Sequence, residues 1–317
     1  MADVIAEFCQ NHNGNWNILK DMIWKAAEAE ANFAKVQSML GEELTLRERF
    51  ENGIVKDGKT EVIKRPYKPE YDRLKPMDLT NELFQKFVDE CKIAGIEPQT
   101  TIFTRQRIPF ISSLGMKTVK VASYDCGSYP LIKELKERFQ HLYISTGATF
   151  DEEIEKTAQI LKGKNFTFLH CVTIYPTPIN ILSLNRMNYL RSFTPSIGFS
   201  DHSLIERDGI NASIIALALG ADVIERHFTV LKKNETRDGP VSVNPNQLKE
   251  LVEFAKQKPE EIMEYVRKNI PNWEIALGQE KRELTHEELL NRDYYRGRFA
   301  SKVNGQIINN WEDKKVF

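Results

Sequence analysis

The stretch PSIGFSDHSLIERDGINASIIALALGADVIERHF, residues 195–228, decides the fold class because it joins two apolar, β-like runs through a helix-prone segment. The runs are PSIGFS (195–200) and VIERHF (223–228), and the segment between them (206–220) closes with a glycine, a common helix stop. A strand, a helix and a second strand in this order predict a parallel sheet with a crossover helix. Each run also leads to a histidine, His202 or His227.

The same alternation runs through most of the chain. Six further strand candidates precede this unit: VIAEFC (4–9), FAKVQSM (33–39), TTIF (100–103), TVKVAS (118–123), HLYIST (141–146) and FTFLHCV (166–172). Helix-prone segments lie between them, at 17–31, 81–95, 105–115, 129–139 and 150–163. Eight such units predict a (β/α)8 TIM barrel with a short C-terminal extension. A doubly wound open sheet is the alternative, but it usually carries a Gly-rich fingerprint after its first strand, which NHNGN (11–15) is not.

Two regions interrupt this rhythm and set the predicted domain organisation. The TIM-barrel domain is predicted to cover residues 1–280, with a long charged insert at 40–78 after the second strand. Long loops in compact domains are either functional or disordered, and we interpret this one as a partly ordered cover over the barrel mouth. Residues 281–317 are too few for an independent domain and are predicted to form a C-terminal tail.

The composition argues against several functional classes. Of the 317 residues 41% are hydrophobic, and the formal net charge is −1, so no bulk electrostatic attraction for nucleic acid is expected. No apolar run is long enough to span a bilayer, and the N-terminal stretch lacks the basic region that is typical of a signal peptide. The four cysteines lack CxxC spacing and are read as reduced thiols. We therefore expect a cytoplasmic protein with no nucleic-acid or membrane partner.

Polar residues gather where the predicted strands end, which is where TIM barrels place their chemistry. Side chains alternate along a strand, so Glu225 and His227 share one face, and Ser200 and His202 share another. Two imidazoles from neighbouring strands could hold one divalent ion with positions left open for substrate. Imidazole with oxygen ligands suits Mn²⁺ or Mg²⁺. Two structural, hydrogen-bonded histidines would give the same spacing, so spacing alone leaves both interpretations open.

Two lysines lie inside apolar runs. Lys35 follows FA and Lys120 sits in TVKVA, where an ammonium group is costly unless an anion meets it. With the hydroxyls of Thr101, Ser123 and Ser145 they would form an anion cradle. Solvated lysines at strand ends are the alternative.

Several of these segments together resemble the sialic acid synthase family, in matching order and spacing over roughly residues 4 to 245. They are IAEFCQNHNG (5–14), KVQ (35–37), KVASYDCGSYPLIK (120–133), STGAT (145–149), LHCVTIYPTP (169–178), GFSDHS (198–203) and ERHFT (225–229). The resemblance implies a TIM barrel that condenses phosphoenolpyruvate with an open-chain 2-acetamido hexose. The products would be a nine-carbon 2-keto acid, a nonulosonic acid, and phosphate.

The resemblance also implies roles for individual residues. His202 and His227 would hold the metal. Catalytic roles would fall to Glu7, which would manage the proton of the attacking water, and to Lys120, Asp125 and Glu225. Residues implied to bind the substrates are Lys35, Gln37, Thr101, Ser123, Ser145, Thr173, Tyr175, Ser200, Asp238 and Arg298.

The sequence departs from the family pattern in two places. Many relatives read GPD after the last strand, whereas RDGPVSV (237–243) puts Val241 at the Asp position, with Asp238 as a nearby substitute. The family's antifreeze-protein-like domain, which lends an arginine from a partner subunit to the sugar site, is not expected from this tail. We expect Arg292, Arg296 or Arg298 to take over, and we assign Arg298 to substrate binding. The tail could instead be a packing segment, with a homodimer partner or another protein supplying the domain.

Three functions are therefore weighed. The first is a nonulosonate synthase acting on N-acetylmannosamine, on a diacetamido trideoxyhexose of the legionaminic or pseudaminic type, or on a less usual hexose. The second is another phosphoenolpyruvate-dependent keto-sugar synthase. The third is a catalytically silent homologue that binds a sugar or a partner, an interpretation favoured by Val241 and the short tail.

Overall fold

The computed structural model describes residues 1–309, and its central feature is a closed barrel of eight parallel strands. All the strands within these residues, inside and outside the barrel, are β1 (Asp3–Cys9), β2 (Phe33–Ser38), β3 (Ile54–Lys56), β4 (Lys59–Val62), β5 (Glu97–Ile102), β6 (Thr118–Val121), β7 (His141–Ser145), β8 (Asn165–His170), β9 (Ile197–Asp201), β10 (Val223–His227), β11 (Ala300–Val303) and β12 (Gln306–Asn309). The barrel order is β1-β10-β9-β8-β7-β6-β5-β2, and the other four strands form two hairpins. The predicted (β/α)8 fold and its eight strand candidates are confirmed.

Helices surround the barrel. They are α1 (Trp16–Glu28), α2 (Arg49–Asn52), α3 (Tyr67–Leu74), α4 (Asn81–Ala94), α5 (Ile108–Ser113), α6 (Tyr129–Arg138), α7 (Asp151–Ile160), α8 (Arg186–Arg191), α9 (Ile205–Asp208), α10 (Asn211–Ala218), α11 (Pro245–Ala255), α12 (Pro259–Asn269) and α13 (His286–Tyr295). The single helix predicted at 206–220 is two helices, because Gly209 adopts φ +56° and breaks the hydrogen-bond ladder. Helices α2, α3, α8 and α11 to α13 were not predicted.

The barrel interior is apolar at its centre and polar at its C-terminal end. Ile5, Phe33, Tyr143, Leu169 and Val223 form a buried cluster of their own inside the barrel. On β1, β2, β7 and β10, the residue two positions after the member of this cluster points the same way as that member and is polar. The apolar layer therefore closes the barrel beneath a polar floor.

Strand register brings the polar ends to one level. In the parallel pairing Glu7 stands opposite both His227 on β10 and Lys35 on β2. Glu225 pairs with Ser200 on β9, and Thr101 pairs with Lys120 on β6. Residues far apart in sequence thus converge at the end of the barrel from which the connecting loops rise, here called the mouth.

The insert at 40–78 and the tail after 280 pack together over the mouth. The hydroxyl of Thr45 donates to Gly297 O at 2.6 Å, and the Arg47 guanidinium donates to Tyr294 O at 2.6 Å. Apolar contacts join the same two segments in two small buried clusters: Met39, Leu44, Leu74 and Phe299 in one, Phe50, Val62 and Tyr294 in the other. The insert is therefore an ordered hairpin and helices rather than a disordered loop.

No helix within residues 1–309 has the length and apolar character needed to cross a membrane.

Gly198→Ala tests how tightly the barrel interior is packed. A Cβ at Gly198 would lie 2.3 Å from Val223 O and 2.5 Å from Leu169 Cδ2, so we expect a loss of about 3 kcal/mol in the free energy of unfolding, measured with urea. The control is Gly95→Ala, where φ is +76° but the space is open, and the expected loss is about 1 kcal/mol. Equal losses would contradict the close packing at Gly198.

Candidate active site

A cavity of about 380 Å³ opens at the barrel mouth. Every residue assigned to the site from the sequence lines it except Asp125 and Thr173. The lining residues so predicted are Glu7, Lys35, Gln37, Thr101, Lys120, Ser123, Ser145, Tyr175, Ser200, His202, Glu225, His227, Asp238 and Arg298.

The floor of the cavity is a buried network of charges. Lys120 Nζ lies 2.9 Å from Glu225 Oε1, which also accepts a hydrogen bond from Ser200 Oγ at 2.7 Å. Lys35 forms an ion pair with Glu7, stands 3.4 Å from Glu225, and donates to Thr101 Oγ1 at 3.0 Å. Two lysines and two carboxylates therefore balance each other where water has little access.

Burial and pairing shift the pKa values of this network in opposite directions. Burial raises the pKa of Glu225, but the ammonium groups of Lys120 and Lys35 outweigh it, so that pKa falls well below its usual range. Burial, with the charge of Lys120, lowers the pKa of Lys35 to about 7 against the opposing pull of Glu225. Glu225 is thus held as an anion between the two lysines.

Two hydroxyls and a tight turn lie beside these lysines. Ser145 Oγ is buried and has no hydrogen-bond partner, and Ser123 Oγ lies 3.0 Å from Cys171 Sγ. A Cβ on Gly147 would lie 2.5 Å from Cys171 Sγ and 2.6 Å from Thr173 Cγ2, so only glycine fits at this point of the turn. An unsatisfied buried hydroxyl that lines the same cavity as Lys120 suits an anionic ligand.

The two histidines face one another across the cavity, with ring centroids 5.3 Å apart. His202 Nε2 lies 2.9 Å from the Tyr175 hydroxyl, and the Nδ1 atoms of both histidines are buried without hydrogen-bond partners. Burial lowers the pKa of each imidazole and keeps it neutral, the form that binds metals. Orphaned, neutral imidazole nitrogens beside carboxylates fit a divalent ion.

Asp238 stands next to this pair, whereas Val241 does not. Asp238 lines the cavity with its Oδ2 3.8 Å from His227 Nδ1, and Val241 is buried in the following 3₁₀ turn outside the lining. Among residues 1–309, one group with metal-ligating atoms within 4.8 Å of one another consists of Cys9, His227 and Asp238. Cys9 was not predicted as a site residue, and the strand register shifts between it and Glu7.

Asp125 and Thr173 are not brought to the cavity. Asp125 lies in a 3₁₀ turn after β6, and burial raises its pKa to about 7 although the charge of Arg296 opposes the rise. Thr173 is fully buried beside Gly147, and its carbonyl accepts a hydrogen bond from Asn291 at 2.9 Å. Neither residue belongs to the cavity lining.

Of the three tail arginines, Arg298 alone reaches the lining. Arg292 and Arg296 both bind Glu153, at 2.7 and 2.6 Å, while Arg298 forms an ion pair with Glu70 of the insert. Other lining residues were not predicted. They are Gln10, Arg65, Arg73, Phe103, Ala122, Tyr124, Arg237, Glu287, Asn291 and Tyr295. Arg65 and Arg73 come from the insert, Glu287, Asn291 and Tyr295 come from the tail, and the rest come from the strand ends and loops of the barrel.

Comparison with known proteins gives consistent results. The family model described as the NeuB family matches residues 22–267. N,N'-diacetyllegionaminic acid synthase of Campylobacter jejuni is 31% identical over 268 residues, which are 80% of this chain and 75% of the relative. Pseudaminic acid synthase of the same species is 29% identical over 99% of this chain and 86% of the relative.

A solved structure of a related enzyme resembles this chain over most of the length of both. The crystal structure of N-acetylneuraminic acid (sialic acid) synthetase from Leptospira borgpetersenii, in complex with citrate, has a TM-score of 0.70 and 27% identity, covering 92% of this chain and 90% of that one. The predicted resemblance to sialic acid synthases and the prediction of a synthase-type enzyme are confirmed. With a matched segment that covers most of its length, the chain belongs to the NeuB family.

Proposed function

We propose that this chain condenses phosphoenolpyruvate with an open-chain 2-acetamido hexose, giving a nonulosonic acid and phosphate, with the help of a divalent metal ion. The observation that carries the proposal is the single cavity that joins a lysine–serine cradle to two facing histidines. One half of that cavity suits a small anion, and the other half suits a metal-activated carbonyl.

Phosphoenolpyruvate would lie in the cradle. Lys120, Ser123 and the unpartnered Ser145 hydroxyl offer charge-assisted and neutral hydrogen bonds to its phosphate and carboxylate. Lys35 adds a second amino group to the cradle. An incoming anion would raise the pKa of this lysine and so favour its charged, ammonium form. The buried site keeps these contacts strong by excluding water.

The histidines His202 and His227 would hold the ion, with Asp238 beside them. When bound there, a divalent ion supplies Lewis acidity to the sugar aldehyde. Imidazole and carboxylate donors suit Mn²⁺ or Mg²⁺, and the thiol of Cys9 adds a softer donor to that set. The ring of Tyr175 packs at a tilt against His202, with ring centroids 4.1 Å apart, and its hydroxyl lies 2.9 Å from His202 Nε2, so that it would orient that imidazole.

In the reaction, C3 of phosphoenolpyruvate attacks the aldehyde carbon, and water adds at C2. Glu7 is proposed to accept the proton of that water, since its carboxylate is oriented by the Cys9 N–H at 2.6 Å and by Lys35. The tetrahedral intermediate then expels phosphate by C–O cleavage, and the cradle stabilises the departing charge. Holding both substrates in one cavity supplies much of the rate enhancement.

The sugar would lie towards the insert and the tail. Arg298 lines this side of the cavity beside Tyr295, with the guanidinium 5.2 Å from the ring centroid. The relatives named for legionaminic and pseudaminic acids support a diacetamido trideoxyhexose as the first candidate, with N-acetylmannosamine second. A homodimer, a partner protein that supplies a further domain, and a cytoplasmic location stay predictions.

Phosphate release tests the reaction. Phosphoenolpyruvate and Mn²⁺ are supplied with a panel of 2-acetamido hexoses, and we expect release with one of them. In His227→Ala the rate should fall by about 100-fold or more because a metal ligand is lost. His141→Ala, at the opposite end of the barrel, should keep full activity. If phosphoenolpyruvate binds but no sugar gives phosphate, the silent binding homologue is favoured; release with a five-carbon sugar phosphate would favour another keto-sugar synthase.

Arg298→Ala tests the sugar side of the cavity. Loss of a charged hydrogen bond should raise the KM for the hexose by about tenfold or more and leave the KM for phosphoenolpyruvate unchanged. Arg296→Ala is the matched control, because Arg296 binds Glu153 outside the lining. Thermal melting checks that each variant is folded. Equal sugar KM values in the two variants would show that Arg298 does not bind the sugar.

A further inference from the structure

Cys9 occupies an unusual position in the barrel. It is the last residue of β1 and adopts φ +47°, a left-handed conformation that is strained for a residue other than glycine. The pairing of β1 with β2 shifts register between Glu7 and Cys9, which is a bulge. Bulges near active sites commonly redirect a side chain, and this one turns the thiol into the cavity wall.

Three separate segments meet at this thiol. Cys9 ends β1, His227 ends β10, and Asp238 begins the 3₁₀ turn that follows. Their ligand atoms all lie within 4.8 Å of one another, and Cys9 and His227 are each 7% exposed. His227 Nδ1 lies 3.8 Å from Asp238 Oδ2 and has no hydrogen-bond partner. Ligand atoms around one ion stand about 3–4 Å apart, so small side-chain rotations would close the set.

We propose that Cys9, His227 and Asp238 bind one divalent ion through thiolate, imidazole and carboxylate, with His202 as the nearest further imidazole. On binding, the thiol releases its proton to solvent, and the thiolate and carboxylate charges neutralise the ion. The thiolate moves the preference of the site from Mg²⁺ towards borderline ions such as Zn²⁺, Fe²⁺ or Co²⁺. The catalytic use of the ion rests on the proposed function, whereas the binding site does not.

Cobalt is the probe because a thiolate ligand gives Co²⁺ an intense charge-transfer absorption in the near ultraviolet. Chelator-treated full-length protein is titrated anaerobically with Co²⁺, and we expect the band to saturate at one ion per chain. Zn²⁺ should displace the cobalt and abolish the band, and excess Mg²⁺ should not.

Two variants of Cys9 separate ligation from folding. Cys9→Ser keeps the size of the side chain, and Cys9→Gly relieves the positive φ; both should lose the band and bind Co²⁺ at least about tenfold more weakly. Asp238→Asn should keep the band with weaker binding. Cys91→Ala is the matched control, since Cys91 is buried in α4 away from the cavity, and it should behave as wild type.

A band that survives both Cys9 substitutions, or cobalt binding without any band, would overturn the proposal and leave the ion to the histidines alone. Phosphate release is measured on the same samples. A Cys9-dependent band without phosphate release from any sugar would support this metal site while the proposed function fails. Release without the band would support the function and overturn the thiolate ligand.

Discussion

The pairing of two lysines with two carboxylates inside the barrel is the constraint on which the rest of the site depends. A buried ammonium or carboxylate is costly when isolated, and its burial becomes tolerable only when geometry and hydrogen bonds are good. Lys35, Lys120, Glu7 and Glu225 meet this condition because strand register sets them at one level, and Thr101 and Ser200 add hydroxyls. The network leaves a charge-balanced floor at the mouth of the barrel.

The apolar layer beneath this floor explains why the network is so well defined. Ile5, Phe33 and Val223 each lie two residues before a charged member of the network and fill the barrel centre. Their packing fixes the strands, so the charged side chains have little freedom to separate. Precise placement of functional groups on rigid strands is a general advantage of this fold.

The barrel and its floor could be predicted because both follow from local patterns. Apolar β-branched runs marked all eight strands, and the polar residues at their ends must converge once the strands are parallel. Asp125 lies outside the cavity lining, in a 3₁₀ turn after β6, and the alternation of side chains along a strand does not extend to such a turn. The helix at 206–220 failed because one positive φ, at Gly209, cannot be recognised from helical periodicity.

What the sequence could not reveal depends on contacts between distant segments. Arg65 and Arg73 reach the cavity because the insert folds against the tail, and no strand or helix period in either segment encodes that contact. Cys9 was read only as a reduced thiol, since its place beside His227 depends on a bulge and a left-handed residue.

Because the insert packs against the tail, the pocket wall has two parts, the barrel strands and these covering segments. The two parts differ in how well they tolerate amino-acid substitution. Substitutions in the strands disturb a close-packed interior that the whole domain shares. Substitutions in the insert or tail disturb small buried clusters that are separate from the main core, such as the one formed by Phe50, Val62 and Tyr294. The covering segments can therefore diverge in sequence more readily than the strands below them, and exchanging both segments together is the natural unit for redesigning this part of the pocket wall.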